Sequence, residues 1–100
     1  MAKVTKVTLR PYDSAAYLKT AEDVANYLDA VFEDGDSALI VHALGVVARS
    51  KGMAKIAKKT GLGRESLYKA LSKDGNPEFI TVLRVVQALG YRLTITADAA

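Results

Sequence analysis

The sequence predicts a mainly α domain of about five helices, with one short strand near each end. Three observations carry that reading. Apolar residues recur at three- and four-residue spacing in runs that stop at Gly35, Gly52, Gly61 and Gly90. The stretch from Gly52 to Ser72, GMAKIAKKTGLGRESLYKALS, compresses two of these runs into short helices around a glycine-bearing turn. Val4 to Leu9 and Tyr91 to Thr96 alternate with the period of a strand, and each needs a partner to satisfy its backbone. That partner is either the other run of the same chain or a strand across a dimer.

Each element follows from local chemistry. Thr20 and Asp23 form a capping-box pattern ahead of AEDVANYLDAVFEDG, where Val24, Tyr27, Leu28, Val31 and Phe32 share one face and Gly35 ends the run. The next helix starts near Asp36 or Ser37, places Ile40, Ala43, Leu44 and Val47 inward, and ends about Lys51 and Gly52. Met53, Ile56 and Ala57 then line the inner face of a short helix that Gly61 closes with a backbone conformation suited to a residue without Cβ. The small Ala57 permits close crossing by the following helix, and Ile56, Leu62, Leu67 and Leu71 supply the buried contact. Asp74-Gly75 signals a turn. Asn76 is then expected as an N-cap and Pro77 as the first residue of a last helix reaching about Leu89, with Phe79, Val82, Leu83, Val86 and Leu89 buried.

One hundred residues, 50% of them apolar, fit a single domain with a modest core. It divides into a strand and acidic helix at 1–35, a helical core at 36–90, and a strand and tail at 91–100. The absence of cysteine removes disulfides and thiolate metal sites and suits a reducing cytoplasm. The N-terminus lacks the apolar core of a signal peptide, and no apolar run reaches the roughly 20 residues of a membrane span.

The net charge of +3 hides a strong polarity. Residues 11–36 hold one lysine against seven acids, whereas residues 49–73 hold eight basic residues against Glu65 alone. On charge alone the basic block reads equally well as a solvated helix face. Its coincidence with the paired short helices points to phosphate contact, because the positive charge falls on a unit shaped like a DNA-binding helix-turn-helix. The exposed side of the second helix then carries Arg64, Glu65, Tyr68 and Lys69 toward base edges. Lys51, Lys55, Lys58, Lys59, Ser66 and Lys73 are placed for phosphate oxygens.

Each assignment has a plainer counterpart. Arg64 pairs bidentately with guanine, or forms an exposed ion pair with Glu65, or is solvated; Glu65 accepts from a cytosine amino group or repels wrong sequences. Tyr68 meets a thymine methyl or a phosphate, or covers its own helix. Some of the lysines are simply solvated. His42 is the single histidine and falls on the far side of its helix from the inner stripe, which predicts an exposed side chain and no metal or catalytic site. Ser66 and Ser72 have no base in pattern, and GLG at 61–63 follows a helix and lacks the lysine of a phosphate-binding loop. No cofactor and no enzymatic activity are expected.

The segment from Asp34 to Thr94 resembles the addiction-module antidote proteins, the HigA-like antitoxins with an Xre-type (lambda-repressor-like) helix-turn-helix, and the likeness extends upstream through RPYDSAAYLKTAEDVANYLDAVFEDGD. Its specific parts are EDGD, ARSKGM, GLGRESLYKALS and GNPEF. The resemblance implies a lambda-repressor-like bundle and a cytoplasmic antitoxin that dimerises, binds a double-stranded operator in its own promoter and neutralises a RelE/HigB-like toxin, a basic RNA-cleaving protein. By position, Arg64, Glu65 and Lys69 take the base-contacting places of the recognition helix. Met53 departs from the polar residue often found at the start of the preceding helix, which leaves backbone N–H groups as the phosphate donors there. Glu22, Asp23, Asp29, Glu33 and Asp34 form an acidic surface suited to a basic toxin. A stand-alone prophage-type regulator and a protein-interaction inhibitor without DNA binding are the competing readings.

Overall fold

The computed structural model describes residues 20–99, which form five helices: α1 (Ala21–Asp34), α2 (Ser37–Lys51), α3 (Met53–Thr60), α4 (Arg64–Ala70) and α5 (Phe79–Ala88). α1 begins with the expected capping box. Asp23 N–H donates to Thr20 Oγ1 at 3.0 Å, and Thr20 N–H donates to Asp23 Oδ2 at 3.1 Å. This satisfies donors that a helix start otherwise leaves to water. Gly35, at φ 82°, ends α1 and donates to the Val31 carbonyl. One residue later the Asp36 carboxylate accepts from Ala38 and Leu39 N–H at 3.0 and 3.2 Å and starts α2. The tight junction folds α2 back against α1, burying Val24, Tyr27, Leu28 and Val31.

α2 is the central helix, packed against α1, α3 and α5. Its middle, from Ala43 through Ala48, is therefore buried on every side, which is wider than the single stripe the periodicity predicts. His42 is corrected by the same fact: it is half-buried, and its Nε2 is enclosed without a hydrogen-bond partner among the described residues. A helix enclosed by three neighbours has no free far side. Leu44, Val47, Ile56, Leu67, Leu71 and Val85 are the largest fully buried side chains, so α2, α3, α4 and α5 meet in one core.

The last helix departs from expectation at its start and in its face. It begins at Phe79 with Glu78 as its N-cap, so Asn76 and Pro77 lie in the preceding loop. Gly75 sits against the end of α4, and the chain crosses from there to α5 without helical structure. Phe79 is 69% exposed and Leu83 only half-buried, while Val85, Val86 and Leu89 are buried with Val82 partly so. α5 carries apolar residues around most of its circumference, so two stripes compete on periodicity, and contact with α2 and α3 selects the one through Val85.

The expected strands are not found among the described residues. Val4 to Leu9 lies outside them. Tyr91 to Thr96 forms no strand, because no ladder partner is present among the described residues; instead Tyr91 N–H donates to the Val86 carbonyl and Tyr91 Oη donates to the Ala21 carbonyl at 3.0 Å. That second bond ties the end of the bundle to its beginning. No helix among the described residues is long and apolar enough to cross a membrane.

Candidate nucleic-acid interface

α3 and α4 are joined by Gly61, Leu62 and Gly63, and their geometry begins with Thr60. Its hydroxyl is buried, donates to the Ala57 carbonyl at 3.0 Å and accepts from Leu62 N–H at 3.2 Å. One side chain thus closes α3 and fixes the first step of the turn. Gly61 takes φ 77° and donates to the Ala57 carbonyl, so the helix ends in the left-handed conformation that its sequence predicts. Beyond the turn, Leu67 is fully buried and Leu71 nearly so, which holds the inner face of α4 against α2 and α3.

The outer faces follow from these anchors. On α3 the buried positions are Met53, Ile56, Ala57 and Thr60, so Lys55, Lys58 and Lys59 all project from the opposite side and are exposed. On α4, Arg64, Glu65, Ser66, Tyr68 and Lys69 are exposed around the side away from Leu67. Lys51 at the end of α2 and Lys73 beyond α4 are exposed as well. The structure therefore brings the predicted set onto two adjoining short helices and their flanks. The starts of α3 and α4, at Gly52 and Gly63, carry no side-chain cap.

Three features of this face escape a reading of residue types. The Arg64 guanidinium lies over the Tyr68 ring, 6.0 Å from its centroid, and not against Glu65. This is an i, i+4 pair, and it couples the two side chains on one shoulder of α4. Thr60 is the second feature, a threonine at a helix end whose hydroxyl shapes the turn. The third is Gly75, whose backbone seats on the last carbonyls of α4. The turn-forming Asp-Gly and Thr-Gly pairs were the available signals for the last two.

The acidic surface lies on α1. Glu22, Asp29 and Glu33, with Asn26 between them, recur at helical spacing on the side opposite Val24, Tyr27, Leu28 and Val31, and all four are exposed. Asp34 is exposed at the last position. Asp23 is half-buried and its carboxylate caps Thr20, so it serves first to start the helix. Among the described residues no group of three or more His, Cys, Asp or Glu side chains is placed to hold a metal ion.

Comparison with known proteins agrees with the length of the resemblance. A protein of Haemophilus influenzae (strain ATCC 51907 / DSM 11121 / KW20 / Rd), described only as an uncharacterized protein, is 40% identical over 87 residues, covering 87% of this chain and 90% of its own. No solved structure matches significantly. The family model described as "Probable addiction module antidote protein" matches residues 8–97. Nearly the whole chain, from before the acidic helix to beyond Tyr91, is thus accounted for by one family, and the protein belongs to the probable addiction module antidote proteins.

Proposed function

We propose that this chain is a cytoplasmic HigA-like antitoxin of the Xre type, which binds operator DNA as a homodimer through α3 and α4 and neutralises a RelE/HigB-like toxin. The observation that carries the DNA-binding part is the exposure of Arg64, Glu65, Tyr68 and Lys69 on a helix seated against α3, whose own outer face carries Lys55, Lys58 and Lys59. Placed in a major groove, α4 presents Arg64 and Glu65 to base edges first, with Tyr68 and Lys69 one turn later. Lys55, Lys58 and Lys59, with Lys51, Lys73 and Ser66 at the flanks, take the backbone phosphates on either side.

A helix of seven residues offers few base contacts, so two are needed for affinity and register. In a two-fold dimer they reach half-sites about one helical turn, roughly 34 Å, apart. The toxin reading rests on membership of the antidote family and on the acidic stripe of α1, which lies on a different helix from the basic face. One surface is then free for DNA while the other takes a basic protein, and the work is binding, with no catalytic step.

The test is titration of the purified protein into a labelled duplex from its own promoter, with a scrambled duplex as competitor. Specific binding with a stoichiometry of two chains per site is expected. Equal affinity for both duplexes, or none, would refute the DNA-binding reading and leave an inhibitor that acts through protein contact alone.

A further inference from the structure

The segment that follows Tyr91 alternates with the period of a strand and meets no ladder partner among the described residues. Tyr91 and Leu93 are half-buried against the bundle, yet Ile95, next in the same alternation, is 98% exposed. No backbone hydrogen bond among the described residues engages residues 92–99. An exposed apolar, β-branched residue at the centre of such an alternation is what a sheet normally covers.

The order of residues says what covers it. Around Ile95 the sequence Arg92-Leu93-Thr94-Ile95-Thr96-Ala97-Asp98 is complementary to itself when reversed. Laid antiparallel on a second copy, Arg92 falls opposite the partner's Asp98, Thr94 opposite the partner's Thr96, and Ile95 opposite the partner's Ile95. Opposite charges, threonine pairs and β-branched pairs are the cross-strand combinations that stabilise a ladder, and each non-central pair occurs twice by symmetry. Directly opposed residues share a face, so Arg92, Thr94, Thr96 and Asp98 line one side while Leu93, Ile95 and Ala97 line the other. The same register keeps Leu93 turned to its own bundle.

We propose that two copies of this chain join through an antiparallel pairing of residues 92–98, with Ile95 on the two-fold axis. This deepens the homodimer of the proposed function and rests on it: the ribbon would tie the two recognition helices into one rigid unit. The pairing satisfies one edge of each strand, and its two-fold symmetry closes the contact at two chains.

The full chain has no cysteine, which permits a direct test. Single variants Ile95→Cys, Thr94→Cys and Thr96→Cys are mildly oxidised at a concentration where sedimentation shows the wild-type dimer. Only position 95 faces itself, within disulfide reach, so I95C should form a covalent dimer about tenfold faster than the other two. Independently, R92E should weaken dimerisation about tenfold by opposing two pairs of acids, D98K should do the same with bases, and the double variant should restore it. If wild type is a dimer but I95C links no faster than T94C and R92E leaves dimerisation unchanged, the strand pairing is overturned while the homodimer stands. If wild type is a monomer at every concentration, both fail. Pairing of Tyr91 to Thr96 with Val4 to Leu9 of the same chain predicts a charge effect on stability that is independent of concentration, and that result also overturns the proposal.

Discussion

Gly75 lies against the carbonyl of Ala70, the last residue of α4, so closely that a Cβ at position 75 would overlap the carbonyl oxygen and come within 2.6 Å of its carbon and 2.7 Å of the Lys69 oxygen. The contact is backbone on both sides, and neither side can rotate away. The loop that leads to α5 thus uses the end of α4 as its seat, with Gly75 N–H donating to the Ser72 carbonyl at 2.9 Å and Ser72 Oγ donating to the Lys69 carbonyl at 2.8 Å.

Gly75→Ala should therefore destabilise the fold by about 2 kcal/mol, the range of an overpacked interior site, and displace the C-terminal turn of α4. Gly61→Ala makes a useful contrast. There a Cβ meets nothing within 4 Å, and only the positive φ of 77° opposes it, at a cost of about 1 kcal/mol. Urea denaturation of both variants checks the order. A G75A protein as stable as wild type would show that the loop is not seated on α4 in solution.

Thr60 tests the turn from its other end. Thr60→Val keeps the shape but removes the hydroxyl that bridges the Ala57 carbonyl and Leu62 N–H, leaving a part-buried N–H without its acceptor. A loss of about 1 to 2 kcal/mol is expected, since one hydrogen-bonded partner is removed and the other stays enclosed. Thr60→Ser should recover most of it. If the valine variant is as stable as wild type and the serine variant is not, the methyl packing and not the hydroxyl holds the turn.

Much of this was legible in the residues. The Thr20–Asp23 capping box, the stops at Gly35 and Gly61 and the exposure of Arg64, Glu65, Tyr68 and Lys69 are local matters, settled within one or two turns of helix. What periodicity does not carry is the number of neighbours a helix has. α2 is covered on several sides, so His42 is half-buried; α5 is apolar nearly all round, so the choice of Val85 over Phe79 for the core depends on α2 and α3. The Tyr91 to Thr96 alternation forms no strand among the described residues, because alternation sets which residues share a face but does not supply the partner that a ladder needs.

Arg64 and Lys58 separate specificity from attraction. Arg64→Ala should weaken binding to the operator by about 1 to 3 kcal/mol per half-site and relax preference at one base-pair position, because a bidentate contact reads one base. Lys58→Ala should weaken all sequences alike and lower the salt slope by about 1 per protomer, because a phosphate contact reads none. Tyr68→Leu should resemble a mild form of R64A, since the ring beneath the guanidinium helps hold it. Competition binding over a set of single-base operator variants gives the comparison. Identical specificity profiles for R64A and K58A would show that α4 does not present the face assigned to it.

The acidic stripe of α1 makes the last prediction. Glu22, Asp29 and Glu33 are exposed on the side of α1 that faces away from the core, so replacing them with Gln, Asn and Gln changes charge without disturbing buried packing. Stability should move little, apart from a few tenths of a kcal/mol for the loss of Glu22 near the helix N-terminus. A basic toxin approaching this face is steered by the summed field of the stripe, which acts on association more than on the lifetime of the complex. The triple variant should associate about tenfold more slowly than wild type at low salt, and the difference should shrink as salt screens the field. Operator binding, measured in parallel, should hold or tighten slightly, because removing acids raises the net positive charge. An unchanged association rate at low salt would exclude the α1 stripe as the toxin's docking surface, whatever the outcome for DNA.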